Sequence, residues 1–296
     1  MSLAWRERMV QVAVRVAGVS AIAFVLVIFF FLIQQGVPAL IQVPLPDLLG
    51  GRWYPIEDTF GLVPIVLGSL LVTLGATVIS VPLGVATAVF IAEVAPRSVR
   101  EVLKPFIEIL AGLPSVMLGF LGIVALAPEM YRRFNLPTGL TAFTGALLLG
   151  WIAIPTIVTV AEDALDAVPR AYRDGALALG ASRWQTIWRV TLPAARGGVL
   201  TAVMLGIGRA FGETMAVMMV TGNAAVIPRS LGALFQPVRT MTATIAAEMG
   251  EVASGSAHYH VLFLVGILLF VISLAVNLVG ASVVFRARTR AERILS

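Results

Sequence analysis

The chain contains 296 residues, of which 59% are hydrophobic and 12% are charged, and its mean hydropathy is +0.96. Soluble domains carry about 25% charged residues, so this composition excludes both a soluble globular protein and a disordered one. The absence of cysteine excludes disulfides, thiolate metal sites and cysteine nucleophiles. We predict an all-α integral membrane protein, because no segment shows the alternating pattern of a membrane β-barrel.

Six apolar runs are long enough to cross about 30 Å of hydrocarbon as helices, which takes about 20 residues each. The first run follows Arg6 and Arg8 in the manner of a secretory signal, but it is longer than a signal and lacks a small-residue cleavage site. We therefore predict that it is retained as a helix. The predicted spans cover residues 11–34, 64–92, 106–127, 139–161, 197–221 and 260–285.

The distribution of Lys and Arg predicts which ends of the spans face the cytoplasm. Of the 21 basic residues, 15 lie at the two termini or in the 93–105 and 162–196 connections, and five lie in the other connections. Arg209 is the remaining one and falls inside a span. We predict a multi-pass protein of the bacterial cytoplasmic (inner) membrane with both termini cytoplasmic. The net charge of +5 then reflects topology, and no nucleic-acid partner is expected.

The chain divides into three predicted segments. Residues 1–60 comprise the first helix and an external loop rich in Pro and Gly, residues 61–288 form the membrane domain, and residues 289–296 are a cytoplasmic tail. Within the second long external connection, the stretch TMTATIAAEMGE is predicted to form a short helix.

The cytoplasmic 162–196 connection is far longer than a link between two helices requires, and it carries helix signals. Ser182 and Gln185 have the spacing of a capping box, which predicts a short helix that starts after a break at Gly180. Pro193 is predicted to end this helix before the next span. Two interpretations remain open: an interfacial helix with tryptophans at the headgroups, or a docking element for a cytoplasmic partner.

The fifth predicted span contains two ionisable residues, Arg209 and Glu213. A charge at the bilayer centre costs about 2.5–3.5 kcal/mol on insertion scales, and residues four apart share one helix face, so we predict that these side chains pair. The pair could simply fix helix register. We favour a substrate pathway in which Arg209 binds a phosphate or sulfate oxyanion, while Glu213 holds the guanidinium when the pathway is empty. We assign Arg209, Glu213, Thr214 and Ser115 to this pathway.

The 162–196 connection also resembles the EAA loop of ABC-transporter permeases, the binding-protein-dependent transport permease family. Its motif reads Asp174-Gly175-Ala176, three residues, Gly180, nine residues, and Val190-Thr191-Leu192-Pro193, with the family's spacing and with Asp, Gly and Val in place of Glu, Ala and Ile. The resemblance implies a six-helix type I (MetI-like) importer bundle whose cytoplasmic coupling helices dock on an ATP-binding subunit. It assigns to that docking loop, 172–193, the residues Tyr172, Arg173, Asp174, Gly175, Ala176, Gly180, Ala181, Leu192 and Pro193.

Two further stretches, GIGRAFGETMAVMMVTGN and AEVAPRSVREVLKPFIEILAGLPSVMLGFLG, resemble the PstC-type permeases of phosphate-specific ABC importers. This resemblance covers roughly residues 60–285. It implies import of inorganic phosphate across the lipid bilayer. It also implies three kinds of partner: a second, PstA-type permease, a dimer of PstB-type ATP-binding subunits, and an external PstS-type phosphate-binding protein.

No nucleotide-binding loop is expected in this chain, because its only lysine, Lys104, follows Leu103 where a Walker A lysine follows Gly. ATP and magnesium are therefore expected on the partner subunit, and we expect no cofactor, catalytic residue or metal ligand here. Four alternatives stay open: a sulfate or molybdate permease, the PstA-type partner, an ion-coupled secondary carrier, and a membrane-anchored scaffold.

Overall fold

The computed structural model describes the backbone of residues 3–295 and the side chains of residues 8–230 and 232–282. Within this part of the chain, six helices are long and apolar enough to cross a membrane, which confirms the predicted number. The side chains of Arg6 and of the predicted 289–296 tail lie outside the described residues. The six helices extend over Arg8–Gln42, Val63–Val94, Ser115–Phe134, Ala142–Asp166, Arg183–Gly212 and Ala257–Ser282.

The first helix, α1 (Leu3–Gly36), lies at the edge of the bundle. Its most apolar window is not buried by the rest of the chain. Its contacts are with the last helix, α14 (Ala257–Leu295), where the rings of Phe29 and Phe270 stack with their centroids 4.6 Å apart. A helix that is apolar on all sides and packed along one side only suits a lipid environment.

The connection after α1 folds into a small cap, which we define as residues 37–62. The cap is held together by its buried apolar side chains, among them Trp53 and Phe60 on paired strands. Its elements are α2 (Ala39–Gln42), α3 (Leu45–Leu48), β1 (Trp53–Tyr54), a 3-10 turn (Pro55–Glu57) and β2 (Thr59–Phe60).

One carboxylate fastens the cap to the bundle. Glu248 ends α13 (Met241–Glu248), the short helix predicted in the second external connection, and its Oε1 accepts a hydrogen bond from Trp53 Nε1 at 3.1 Å. The same carboxylate pairs with Arg239 and His258, each at 2.8 Å. The cap, α13 and the start of α14 therefore form one connected unit at this end of the bundle.

Three helices form the centre of the bundle: α4 (Val63–Val89), α8 (Ala142–Asp166) and α11 (Leu192–Gly212). Ile157 of α8 packs directly on glycines of both neighbours. A Cβ atom at Gly84 would lie 2.8 Å from the Ile157 side chain, and one at Gly206 would lie 2.4 Å from it. These glycines let the three backbones approach closely, as small residues do in membrane helices.

The third span is broken into two pieces. α5 (Arg97–Gly112) ends before Pro114, and the chain becomes helical again in α6 (Ser115–Leu121), a π-helical turn (Gly122–Leu126) and α7 (Ala127–Phe134). The predicted span 106–127 is therefore wrong in its bounds. A residue before proline avoids the α region, and Leu113 is accordingly extended, with a ψ of 134°.

The fifth span starts earlier and ends earlier than predicted. α10 (Arg183–Thr186) continues through a π-helical turn (Ile187–Thr191) into α11, so the prediction that Pro193 ends the helix is wrong. The proline lies in the first turn of α11, after a wider turn that accommodates its missing N–H. At the other end, α11 stops at Gly212, and a separate helix follows, α12 (Met215–Val220).

The remaining elements complete the two ends of the bundle. α9 (Arg170–Ala178) and α10 follow the C-terminal end of α8, and the first turn of α5 lies beside that end of α8. We call this end, with α9, α10 and the start of α5, the basic end. At the opposite end, a second connection contains a 3-10 helix (Leu231–Phe235) and α13.

Candidate functional site

Two helix breaks lie next to each other inside the bundle. The first separates α5 from α6 at Leu113 and Pro114, and the second separates α11 from α12 at Glu213 and Thr214. The helices that follow the breaks pack together so closely that a Cβ atom on Gly119 of α6 would lie 2.9 Å from the Ala216 Cα atom of α12. The interruption of both spans leaves backbone polar groups inside the bundle that need hydrogen-bond partners from outside their own helix.

Arg209 reaches the first break from the last turn of α11. Its Nη2 donates a hydrogen bond to the carbonyl oxygen of Ala111 at 3.1 Å, and its Nη1 donates to Thr156 Oγ1 at 3.0 Å. The Ala111 carbonyl belongs to the last turn of α5, the negative end of that helix dipole. The guanidinium is thus partly buried and bound to two neutral oxygens. Thr156 was missed by sequence analysis, because only the tertiary structure brings α8 against Arg209.

Glu213 does not pair with Arg209, so that prediction is wrong. The helix ends at Gly212 and Glu213 is extended, with a ψ of 133°, so the two residues no longer share a helix face. The Oε1 atom of Glu213 instead accepts hydrogen bonds from the backbone amides of Thr214 at 3.1 Å and Ala216 at 3.2 Å. The carboxylate therefore caps the start of α12, which is a favourable position for a negative charge.

The second break borders a narrow polar cleft. Glu213 lines it together with four hydroxyl side chains from α4 and from the region of α13. One of these, Thr242, donates a hydrogen bond to the Glu213 carbonyl oxygen at 2.9 Å. Hydroxyl groups can both donate and accept hydrogen bonds, but the cleft is so small that it has room for at most about one water molecule. The four hydroxyl residues are Ser69, Thr73, Thr240 and Thr242.

The other two predicted pathway residues also lie at the breaks. Ser115 is the first residue of α6, directly after the first break, and it is half-buried. Thr214 lies in the second break, and its hydroxyl donates to the Gly212 carbonyl oxygen at 3.3 Å. The structure therefore places Arg209, Glu213, Thr214 and Ser115 in one region but distributes them over two breaks.

The predicted docking loop forms two short helices at the basic end. Gly180 joins them in the left-handed region, with a φ of 84°, and the capping box predicted for Ser182 and Gln185 is present, with hydrogen bonds of 3.2 and 2.8 Å. The aromatic side chains of this segment are largely exposed, and Trp184 and Trp188 pack edge to face. Of the predicted docking residues, the exposed ones are Tyr172, Asp174, Gly175, Gly180 and Pro193, and the half-buried ones are Arg173, Ala176, Ala181 and Leu192.

Arg173 points into the bundle. Its guanidinium forms a salt bridge with Glu93, in the π-helical turn (Phe90–Val94) that extends α4, with Nη2 and Oε1 2.6 Å apart. It also donates to the carbonyl oxygens of Val168 at 2.7 Å and Leu165 at 2.8 Å, at the end of α8. The side chain is thus bound to two spans of its own chain.

A second ionic cluster at the basic end was missed by sequence analysis. Glu162 of α8 is only 1% exposed and binds Arg100 at 2.8 Å and Lys104 at 3.1 Å, both on α5. Arg100 also pairs with Asp166. Burial alone would lower the pKa of Arg100, but hydrogen bonds and charge from Glu162 and Asp166 raise it above its ordinary value. The cluster fixes α5 along α8, and the two carboxylates four residues apart were its sequence signal.

Comparison with known proteins identifies the family. The profile of the family described as "Binding-protein-dependent transport system inner membrane component" matches residues 80–289. A probable ABC transporter permease, YqgH of Bacillus subtilis, is 40% identical over 232 residues, which are 78% of this chain and 74% of YqgH. The phosphate transport system permease protein PstC of Mesorhizobium japonicum is 33% identical over 262 residues, which are 82% of this chain and 79% of that protein.

Solved structures show the same fold. The inward-facing MetNI methionine ABC transporter superposes with a TM-score of 0.61 at 18% identity, covering 80% of this chain and 99% of the other. A bacterial alginate ABC transporter superposes with a TM-score of 0.62 at 14% identity, covering 98% and 97%. The chain therefore belongs to the family of binding-protein-dependent transport system inner membrane components, as a multi-pass permease subunit of an ABC importer.

Proposed function

We propose that this chain is the PstC-type permease of an ATP-driven importer of inorganic phosphate and forms half of its translocation pathway. The observation that carries this proposal is the position of Arg209, a cation inside the bundle at the meeting point of two helix breaks. An intramembrane cation is costly and usually marks a substrate path. The names of the PstC relatives add support for phosphate as the cargo.

The bonds of Arg209 suit a transient anion site. Its present acceptors, the Thr156 hydroxyl and the Ala111 carbonyl, are neutral oxygens. A phosphate oxyanion adds two things that these oxygens lack: its negative charge attracts the guanidinium, and two of its oxygens can accept parallel hydrogen bonds from the planar fork, which stays charged when it is dehydrated. An arriving phosphate can therefore displace the neutral acceptors, while those acceptors compensate the cation after the anion leaves.

The exposed surface of α9 and α10 is the proposed contact with the ATP-binding subunit. In this proposal the basic end and both termini face the cytoplasm, and the cap faces the external phosphate-binding protein. ATP closure draws the coupling helices together and opens the spans outward, and hydrolysis reverses the change. ATP and magnesium bind to the PstB-type dimer, no cofactor binds to this chain, and a PstA-type permease supplies the other half of the pathway.

The test is purification of the tagged chain from its native membrane, followed by mass spectrometry and reconstitution in liposomes. We expect a second permease and an ATP-binding subunit in the complex, and ATPase activity that rises when phosphate-loaded binding protein is added. The matched control replaces phosphate with sulfate or molybdate on the corresponding binding proteins. Stimulation by sulfate or molybdate alone would assign the permease to another oxyanion, and uptake driven by an ion gradient without ATP would contradict an ATP-driven importer.

A further inference from the structure

Arg173 is the charged residue that α9 turns towards the bundle. Within residues 170–178 only Arg173 and Ala176 are half-buried, and the other residues are exposed. The side chain of Arg173 is 20% exposed, and that of its partner Glu93 is 8% exposed. A side chain so enclosed presents little surface to a separate subunit, although the family resemblance places it in the docking loop.

The bonds of Arg173 join three helices. Its Nε donates to both oxygens of Glu93, at 3.0 and 3.3 Å, and its Nη2 donates to Oε1 of the same carboxylate. Its remaining bonds go to the carbonyl oxygens of Leu165 and Val168, at the C-terminal end of α8, where backbone acceptors lack helical donors and the dipole is negative. One guanidinium therefore ties α9 to the ends of α4 and α8.

The rest of α9 is attached to a different span. Its packing contacts are with α10 and with the π-helical turn Ile187–Thr191, which leads directly into α11. Packing thus connects α9 to the fifth span, while Arg173 connects it to the second and fourth spans. Through the two connections together, a displacement of α9 acts directly on all three helices of the bundle centre, α4, α8 and α11.

We infer that Arg173 is a positioning residue that transmits the movement of α9 to α4 and α8 through Glu93 and the end of α8, and is not a contact with the ATP-binding subunit. This inference rests on the proposed function of α9 and α10 as the ATPase contact. This role requires the planar guanidinium of arginine. The ammonium group of a lysine cannot donate to both oxygens of the Glu93 carboxylate and to two backbone carbonyl oxygens at the same time.

The first experiment measures coupling in the reconstituted complex. Arg173→Lys and Glu93→Gln are compared with the wild type for three quantities: retention of the ATP-binding subunit, ATP hydrolysis, and phosphate taken up per ATP hydrolysed. We expect unchanged retention, continued hydrolysis, and uptake per ATP reduced by about tenfold in each variant. The double variant is expected to be no worse than the more impaired single variant, because both substitutions break the same contact.

The control is Arg133→Lys, an exposed arginine on α7 and therefore outside α9 and α10, which should retain wild-type coupling. Loss of the ATP-binding subunit in Arg173→Lys, with normal uptake per ATP in the complexes that remain, would make Arg173 a docking contact and overturn the inference. Normal coupling in both variants would also overturn it. So would failure of both variants to assemble, since the contact would then serve folding.

A second experiment does not depend on the cargo. Because the chain has no cysteine, spin labels can be attached to Ala178→Cys on α9 and Val78→Cys on α4, both exposed positions. In the doubly labelled protein that keeps Arg173, we expect the same label-to-label distance with and without trapped ATP, because α9 and α4 move together. In Arg173→Lys the distance should change on ATP binding, and an unchanged distance contradicts the inference. If both distance results are as expected but the complex with Arg173 takes up no phosphate, only the proposed cargo would be refuted.

Discussion

The side chain of Arg209 donates a hydrogen bond to the backbone carbonyl oxygen of Ala111, 98 residues earlier in the chain, at 3.1 Å. This contact joins the last turn of α11 to the last turn of α5, so a cation inside the bundle rests on the negative end of a helix. A ligand that occupies the guanidinium must compete with this carbonyl, which connects the candidate anion site to the position of α5.

Arg209→Gln is expected to abolish phosphate uptake, because glutamine keeps hydrogen-bond donors but loses the charge that attracts an anion. Arg209→Lys should retain part of the activity, since its point charge remains while the forked geometry is lost. Uptake of radiolabelled phosphate by reconstituted complexes measures the activity of both variants. The control is ATP hydrolysis by the same preparations, which shows that the complex is assembled. Normal uptake by Arg209→Gln would remove this residue from the pathway.

Thr156→Val should weaken phosphate uptake by about tenfold or more, because it removes a hydrogen bond that orients Arg209 while the pathway is empty and keeps the side-chain shape. Thr159→Val is the matched control. Thr159 lies on the same helix, and its hydroxyl donates to the Pro155 carbonyl oxygen rather than to a functional side chain. Uptake is measured as a function of phosphate concentration for both variants. Equal loss of uptake in Thr156→Val and Thr159→Val would mean that Thr156 does not orient Arg209.

Gly180→Val should weaken attachment of the ATP-binding subunit. Gly180 has a φ of 84°, a conformation that β-branched residues strongly disfavour, although a Cβ atom there would meet no other atom within 4 Å. The effect therefore comes from the backbone and not from a clash. Gly180→Asn is the control, because asparagine tolerates the left-handed region. Pull-down of the ATP-binding subunit measures the result, and equal retention by the valine and asparagine variants would contradict it.

Glu162→Gln should destabilise the chain by about 1–3 kcal/mol, because it leaves Arg100 and Lys104 without their buried counter-charge, while both cations keep some access to solvent. Thermal unfolding of the detergent-solubilised protein measures this as a lower midpoint. Asp163→Asn, at an exposed neighbouring position, is the control and should leave the midpoint unchanged. A midpoint equal to wild type in Glu162→Gln would show that the cluster does not hold α5 on α8.

Much of the architecture was predictable because it depends on local properties of the chain. The number of spans follows from the length of apolar runs, and the turn between α9 and α10 follows from Gly180 and from the capping box at Ser182. The prediction that the loop is a coupling element rests on a motif of fixed spacing. Each of these signals is contained within some twenty consecutive residues, so a single segment carries it.

The positions of the helix breaks and the partners of the charged residues were decided by tertiary structure. A helical pattern through residue 213 predicts that Arg209 and Glu213 meet, but the chain leaves the helix at Gly212, where the Glu213 backbone carbonyl accepts a hydrogen bond from Thr242 and its carboxylate caps α12. Arg209 then takes its partners from α5 and α8. A charged side chain inside a membrane bundle binds whichever oxygen the packed helices bring within reach, and hydropathy and residue spacing contain no information about that neighbour.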